Sequence, residues 1–179
     1  MSFPSFATGE VLTAADMNAV GLWLVKTQTV GSTAVPSVTV TGAFSSQYDN
    51  YIVTWQGGTM SADTALKFRL GSNTNNCFGA FIHAPNYLAS SVVNVGDNNT
   101  AFFTYAGGGN SGGAHSYLYI QGPNKPTRTY INSGLINYST TFGTYVGSNF
   151  NTTQFTDFTF EPFSGTMVDG TIRVYGMRN

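Results

Sequence analysis

Two histidines and one cysteine are the side chains of this sequence that could support nucleophilic or metal chemistry. His83 and His115 stand alone, without the His-x-His or His-Glu-x-x-His spacing that places two zinc ligands on one element. Cys77 precedes His83 by six residues and follows a pair of asparagines, which is typical of a turn. We therefore predict no zinc site and no cysteine–histidine nucleophile. Cys77 is interpreted as a small buried hydrophobic side chain.

Asp157 and Glu161 come closest to the carboxylate pair of a glycosidase. In a strand, residues four positions apart point to the same face but are separated by about 13 Å. An inverting glycosidase holds its two carboxyl groups roughly 6.5–9.5 Å apart. The spacing therefore argues against glycosidase activity.

Glycines at 107–109 and 112–113 could suggest a phosphate-binding loop. They lack the Lys-Ser/Thr ending of such a loop, and no helix pattern follows them. The pattern predicts instead a flexible connection between two strands. Together with the isolated histidines and carboxylates, it predicts a protein that is not an enzyme and has no cofactor or metal site.

Aromatic residues make up 15% of the chain, and several are candidates for surface contacts. Tyrosine combines a large contact area with a polar tip, which suits protein interfaces and stacking on sugar rings alike. Tyr117 and Tyr119 alternate along one predicted strand and so share a face. The candidate interface or sugar-contact aromatics are Trp55, Tyr117, Tyr119 and Tyr130.

Charged residues are scarce, at 8% of 179 residues, and the net charge is −1. The basic side chains are scattered, without the cluster that neutralises phosphates, so no nucleic-acid partner is expected. No stretch approaches the roughly 18 apolar residues of a membrane helix, and the first residues lack a cationic secretory signal. We therefore expect synthesis in a cytoplasm and no membrane partner. Near-zero net charge gives little repulsion between copies, which favours a protein that lives in an assembly.

From Leu22 onward, short runs alternate apolar and polar residues with a period of two. Leu66–Leu70 shows the alternation most clearly, and Gly, Ser or Asn residues end it at 71–73. About ten such runs follow one another at short, regular spacing. They predict an all-β fold, a jelly-roll-like β-sandwich over residues 22–179.

Residues 1–21 form a lead segment of different character. Thr13 can cap one small helix that Gly21 ends, and such a short helix needs a surface to pack on. We predict that the segment is an attachment arm, and two destinations for it stay open: its own domain, or a neighbouring subunit or host structure. The apolar side chains of this arm are Phe3, Phe6, Val11, Leu12, Met17 and Val20.

The segment 3–18, with Leu-Thr-Ala and a later Asn, resembles the opening of many short tailed-bacteriophage virion proteins. The closing segment 170–176, Gly-Thr-Ile-Arg-Val-Tyr-Gly, also recurs among such proteins. The resemblance implies a homotrimer located in the virion, with the major capsid protein or another virion protein as partner. It implies a capsid decoration or cement role, because the chain has no room for the long shaft of a tail fibre.

The alternative function is a tail-fibre or receptor-binding module whose β-sandwich recognises a host surface glycan. Such a module is expected to place exposed Tyr or Trp rings beside Asn and Asp side chains in one groove.

Overall fold

The structure, a computed structural model, describes residues 8–9, 21–84, 93–138 and 141–177, with the backbone alone for 135–138. The predicted arm helix and all six apolar arm residues (Phe3, Phe6, Val11, Leu12, Met17 and Val20) lie outside these ranges. Within the ranges, no helix is long and apolar enough to cross a membrane.

The described chain is all-β, as the alternation predicted, and its strands pair antiparallel throughout. Twelve strands are present in the described ranges: β1 (Leu22–Thr29), β2 (Val38–Val40), β3 (Asn50–Met60), β4 (Thr64–Leu70), β5 (Cys77–Ala84), β6 (Val93–Thr100), β7 (Phe103–Asn110), β8 (Gly113–Gln121), β9 (Thr129–Tyr138), β10 (Thr141–Asn149), β11 (Phe158–Pro162) and β12 (Met167–Met177).

The strands form two layers that are joined at β8. The small sheet has the order β2-β11-β4-β7, and the large sheet has the order β1-β12-β3-β8-β9-β10-β5-β6. One edge of β8 pairs with β3, and its other edge is shared between β7 at its start and β9 at its end. The hydrogen-bonded sheet is therefore continuous and folds over on itself at this strand.

The pairing is nested as in a jelly roll. β5 pairs with the next strand, β6, and the strands on either side of that pair in the sequence, β4 and β7, pair with each other. Farther out, β2 pairs with β11, so each pair encloses the previous one in the sequence. The hairpin β8–β9 is inserted between β3 and β10, and β12 and β1 extend the large sheet beyond β3. The jelly-roll-like sandwich of the prediction is thus found, with two more strands than the ten expected.

An aromatic core lies between the layers. Phe68 and Phe103 of the small sheet are 6.3 Å apart between ring centroids, and Phe103 lies 6.3 Å from Tyr145 of the large sheet. All three side chains are fully buried. Burying a side chain of this size contributes about 1.5–3 kcal/mol relative to leaving it exposed, so this ring column is a main source of stability.

Two details of the sequence prediction were wrong. Residues 107–113 are not a flexible connection, because 107–110 belong to β7, Gly113 begins β8, and only 111–112 form the turn. The strands β6 and β10 were missed, because Val93–Thr100 is largely polar and Thr141–Asn149 carries glycines at 143 and 147. Both strands owe their place to the strands they pair with rather than to a local pattern.

Candidate functional site

The surface that stands out is the side of the large sheet that points away from the core, here called the outer face. Side chains alternate across a strand, so the register of the pairs fixes which residues share this side. The outer face consists of Leu22, Leu24, Thr27 and Thr29 of β1; Thr171, Arg173, Tyr175 and Met177 of β12; Asn50, Ile52, Thr54 and Gln56 of β3; Tyr117, Tyr119 and Gln121 of β8; Tyr130 and Asn132 of β9; Thr144, Val146 and Ser148 of β10; and Phe78, Ala80 and Ile82 of β5.

Large apolar side chains are exposed mainly on this face. The described residues contain ten exposed large hydrophobic side chains, and six of them are outer-face positions: Leu22, Leu24, Ile82, Tyr117, Tyr130 and Val146. Leu24 is 56% exposed and Val146 is 48% exposed, although both lie within strands. Single exposed hydrophobics are normal on a protein, but a contiguous set of this kind marks a binding surface.

The register connects these exposed residues through other apolar and aromatic side chains of the same face. One cross-strand row passes over six adjacent strands and contains Leu24, Tyr175, Ile52, Tyr119, Asn132 and Val146. Directly opposed side chains in an antiparallel pair lie about 4.5–5.5 Å apart at Cβ. The row is therefore a nearly continuous apolar and aromatic stripe across the sheet.

Charge is almost absent from the outer face. Among its positions, Arg173 is the one side chain that carries a full charge at neutral pH. Protein interfaces are depleted of charge at their centres and enriched in tyrosine and arginine. The composition of the outer face matches that pattern.

A shallow depression of about 300 Å³ lies near the middle of the outer face. Tyr119, Gln121, Tyr130, Asn132 and Val146 line it, and the amide of Gln121 donates to the hydroxyl oxygen of Tyr119 across 3.4 Å. We call it the tyrosine depression. It places two aromatic rings beside two amide side chains.

The structure brings three of the four predicted contact aromatics together. Tyr117 and Tyr130 are about half exposed, and Tyr119 lies between them on the same face. Trp55 was a wrong prediction, because it is fully buried and its indole N–H donates to the carbonyl oxygen of Asp169 at 3.3 Å. In β3, Trp55 alternates with Thr54 and Gln56 and points into the core.

The sequence prediction missed the exposed outer-face residues Leu22, Leu24, Ile82 and Val146. Their exposure was not foreseen, because an apolar residue at an alternating position normally points inward. In β1 the residue between the two leucines, Trp23, takes the inward side, opposite Gly176. A run of three large apolar residues, Leu22-Trp23-Leu24, was the available signal that both sides of this strand are apolar.

The side chains considered for catalysis are separated from one another. Cys77 and His83 lie at opposite ends of β5, about 20 Å apart by the strand rise. Burial raises the pKa of the Cys77 thiol to about 11, and the amides of Asn73 and Asn149 each donate to its sulfur at 3.3 Å. His83 is stacked on Phe81, with ring centroids 4.5 Å apart.

Asp157 and Glu161 have separate structural partners. An Asp157 carboxylate oxygen accepts from the backbone N–H of Gly42 at 2.8 Å, and Glu161 forms an ion pair with Lys67. In the part of the chain that the structure describes, no three His, Cys, Asp or Glu side chains are grouped so that they could hold a metal ion.

Comparisons with known proteins give little. No protein-family model and no curated protein matches the chain. A solved structure of infectious bursal disease virus, Gt strain, aligns at 9% identity with a TM-score of 0.14, over 86% of this chain and 42% of that one. The chain spans less than half the length of that protein, and a similarity this low carries no argument about fold or function.

Proposed function

We propose that this chain is a non-enzymatic structural protein of a bacteriophage particle, most simply a capsid decoration or cement protein, that trimerises through its outer face. The observation that carries the proposal is the concentration of exposed apolar side chains on one sheet face with a single charged residue. The virion setting comes from the resemblance of the lead and closing segments to tailed-phage virion proteins.

The size of the outer face fits a stable protein interface. The seven strands of the outer face lie about 4.8 Å apart and span roughly 29 Å, and seven residues along a strand span roughly 23 Å. The face therefore covers roughly 670 Å², which is within the range that each partner of a standard interface buries. In a trimer, three such faces form the walls of a prism around the threefold axis, and each contacts its two neighbours.

A second copy is the partner that the face fits best. A face that is almost without charge does not favour an oppositely charged partner. The net charge of −1 also leaves almost no electrostatic repulsion between copies of the chain. The tyrosine depression provides a socket for a side chain of the neighbouring copy, as at the centre of many interfaces.

The test measures the oligomer mass of the unmodified protein and of two variants. One variant introduces a charge on the outer face, and the other introduces it elsewhere. We expect the unmodified chain to have three times its 19.1 kDa mass by native mass spectrometry. Val146→Asp places a charge in the tyrosine depression and is expected to weaken the trimer at least a hundredfold, because a buried unpaired charge is costly. The matched control is Phe163→Asp, since Phe163 is 62% exposed and lies off the face.

A monomeric unmodified chain at micromolar concentration would overturn the proposal. A trimer that Val146→Asp leaves intact would show that another surface holds it together. Circular dichroism of both variants verifies that each is folded.

The number of copies per purified particle tests the decoration role separately. A decoration protein is expected in hundreds of copies. A few dozen copies or fewer would support the alternative, a tail-fibre or receptor-binding module.

A further inference from the structure

We propose that a second concavity, on the opposite side of the sandwich, binds a neutral saccharide. This concavity of about 550 Å³ lies on the side of the small sheet that faces away from the core. Its floor is one cross-strand row in which Thr159 of β11 lies between Thr39 of β2 and Arg69 of β4. We call it the threonine concavity, and the proposal does not depend on the trimer.

Backbone hydrogen bonds hold the walls of the threonine concavity in place. One wall is the turn at Gly71–Ser72, and the other is the segment Thr153–Asp157. The N–H of Gly71 donates to the carbonyl oxygen of Asp157 at 2.8 Å, which ties the two walls together. The N–H of Phe44 donates to the carbonyl oxygen of Thr156 at 2.9 Å. Such a wall loses little entropy when a ligand binds, so weak polar contacts can yield measurable affinity.

The chemistry of the lining favours a ligand with many hydroxyl groups. On the floor, the hydroxyls of Thr39 and Thr159 bond to each other at 2.9 Å and each keeps part of its hydrogen-bonding capacity for a ligand. The hydroxyls of Thr153 and Thr156 on the wall can both donate and accept. Gln154 also lines the wall, and its amide nitrogen donates to the carbonyl oxygen of Asn124 at 3.1 Å, which fixes the side chain. Hydroxyl and amide groups that can donate and accept match the hydroxyls of a pyranose ring better than they match an apolar molecule.

The two charged side chains of the lining favour a neutral ligand over an anion. Arg69 and Asp157 both line the concavity, and the ion pairs found among the described residues do not include either of them. The guanidinium of Arg69 instead lies 5.3 Å from the centroid of the Phe102 ring. The lining thus contains a guanidinium and a carboxylate, one oxygen of which already accepts from the N–H of Gly42, and their opposite charges largely cancel for an anion such as phosphate.

The lining also distinguishes this site from a protein interface. None of the ten exposed large hydrophobic side chains of the described residues belongs to it. Phe155 is the one aromatic residue of the lining, and it is only 6% exposed at the base of the wall. The threonine concavity lies across the core from the outer face, so it stays accessible when the outer face is covered.

The experiment uses the full-length chain and a glycan array of neutral hexose and N-acetylhexosamine oligosaccharides, with sialylated and uronic-acid glycans as the anionic comparison. Hits are measured by isothermal titration calorimetry. Two variants of the concavity, Arg69→Met and Thr156→Val, are expected to lower affinity at least tenfold each, since each removes hydrogen bonds to the ligand. Thr33→Val, at an exposed threonine that lines neither concavity, is the matched control for Thr156→Val and is expected to leave affinity unchanged. Tyr130→Ala is measured beside it to test whether saccharides bind in the tyrosine depression instead.

Three results would overturn the proposal. The first is the absence of any binding of the neutral oligosaccharides at millimolar concentration. The second is binding restricted to the anionic glycans, and the third is binding that Tyr130→Ala abolishes while Arg69→Met and Thr156→Val retain it. Thermal unfolding of each variant separates a lost site from a lost fold. The mass measurement above is independent, so the trimer and the saccharide site fail separately.

Discussion

Cys77 illustrates at the residue scale how burial controls the chemistry of one side chain. The thiol is fully buried, and desolvation of its charged form raises its pKa from 9.0 to about 11. Two amide N–H groups donate to the sulfur and partly offset this shift. A thiol held in its neutral form is a poor nucleophile, which agrees with a packing role.

The raised pKa of the Cys77 thiol predicts that the protein loses stability at alkaline pH. Between about pH 9 and pH 11 the unfolded chain releases the Cys77 proton while the folded chain keeps it, so the free energy of unfolding falls as pH rises. Urea titrations at pH 8 and pH 10.5 are expected to show that the unmodified chain loses about 2 kcal/mol more than Cys77→Ala. Equal losses in both proteins would mean that other groups, such as Tyr145 and Tyr51, whose pKa values burial also raises, account for the whole effect.

Asp97 shows how the hydrogen bonds of one polar residue can hold a strand against the core. One of its carboxylate oxygens accepts from the Tyr145 hydroxyl at 2.7 Å and from the backbone N–H of Thr104 at 2.8 Å, and its other oxygen contacts the Thr104 hydroxyl. Tyr145 is fully buried, and desolvation together with the Asp97 carboxylate raises its pKa. These bonds attach the polar edge strand β6 to the core.

At the element scale, the close pairing of β7 with β8 depends on glycine. A Cβ atom at Gly107 would clash with the carbonyl oxygen of His115 and lie 3.0 Å from the Cα of Ser116. Both are backbone atoms of β8, so neither moves without disturbing the strand on which the small and large sheets join. The glycines that looked like a flexible connection are therefore what allows two strands to approach closely.

We expect Gly107→Ala to destabilise the protein by about 2–3 kcal/mol, because it forces extra volume into a packed strand pair. For a chain of this size, that lowers the melting temperature by roughly 5–10 °C. Gly31→Ala is the matched control, since a Cβ there meets no atom within 4 Å and its backbone conformation suits alanine. Calorimetry that finds equal melting temperatures for the two variants would contradict this account of β7.

At the scale of the whole molecule, the proposals divide the surface among three tasks. In these proposals, the outer face joins copies, the threonine concavity on the far side binds a saccharide, and residues 1–21 attach the protein to its particle. The arm enters the sheet at Leu22, which is half exposed at the start of the edge strand β1. This division assigns attachment and trimerisation to separate parts of the chain.

Deleting residues 2–20 is therefore expected to abolish incorporation into particles while leaving a folded trimer. Incorporation is measured by quantifying the protein in purified particles, and the trimer by native mass spectrometry. A truncated protein that still enters particles normally would contradict the attachment role. A truncated protein that is monomeric would instead place the arm in the trimer contact.

The sequence by itself determined the class of the fold and which residues of one strand point to the same face. Alternation in Leu66–Leu70 and in 117–121 is a local property, because successive side chains of a strand point to opposite faces whatever the strand pairs with. The isolated His83 and Cys77 and the distant carboxylates likewise predicted separate structural environments, and the structure places them apart. The period of two could not say which of the two faces of a strand is covered.

The tertiary structure decided which faces are buried and which residues become neighbours. Trp55 points into the core and Leu24 points out, because β3 and β1 lie in a sheet whose second layer covers one side only. Tyr119 and Tyr130 meet because β8 pairs with β9, and the threonine concavity forms because β11 pairs with β2 and β4, two strands far from it in sequence. Both surfaces on which the proposals rest are made by strand register, which long-range packing fixes and no local pattern encodes.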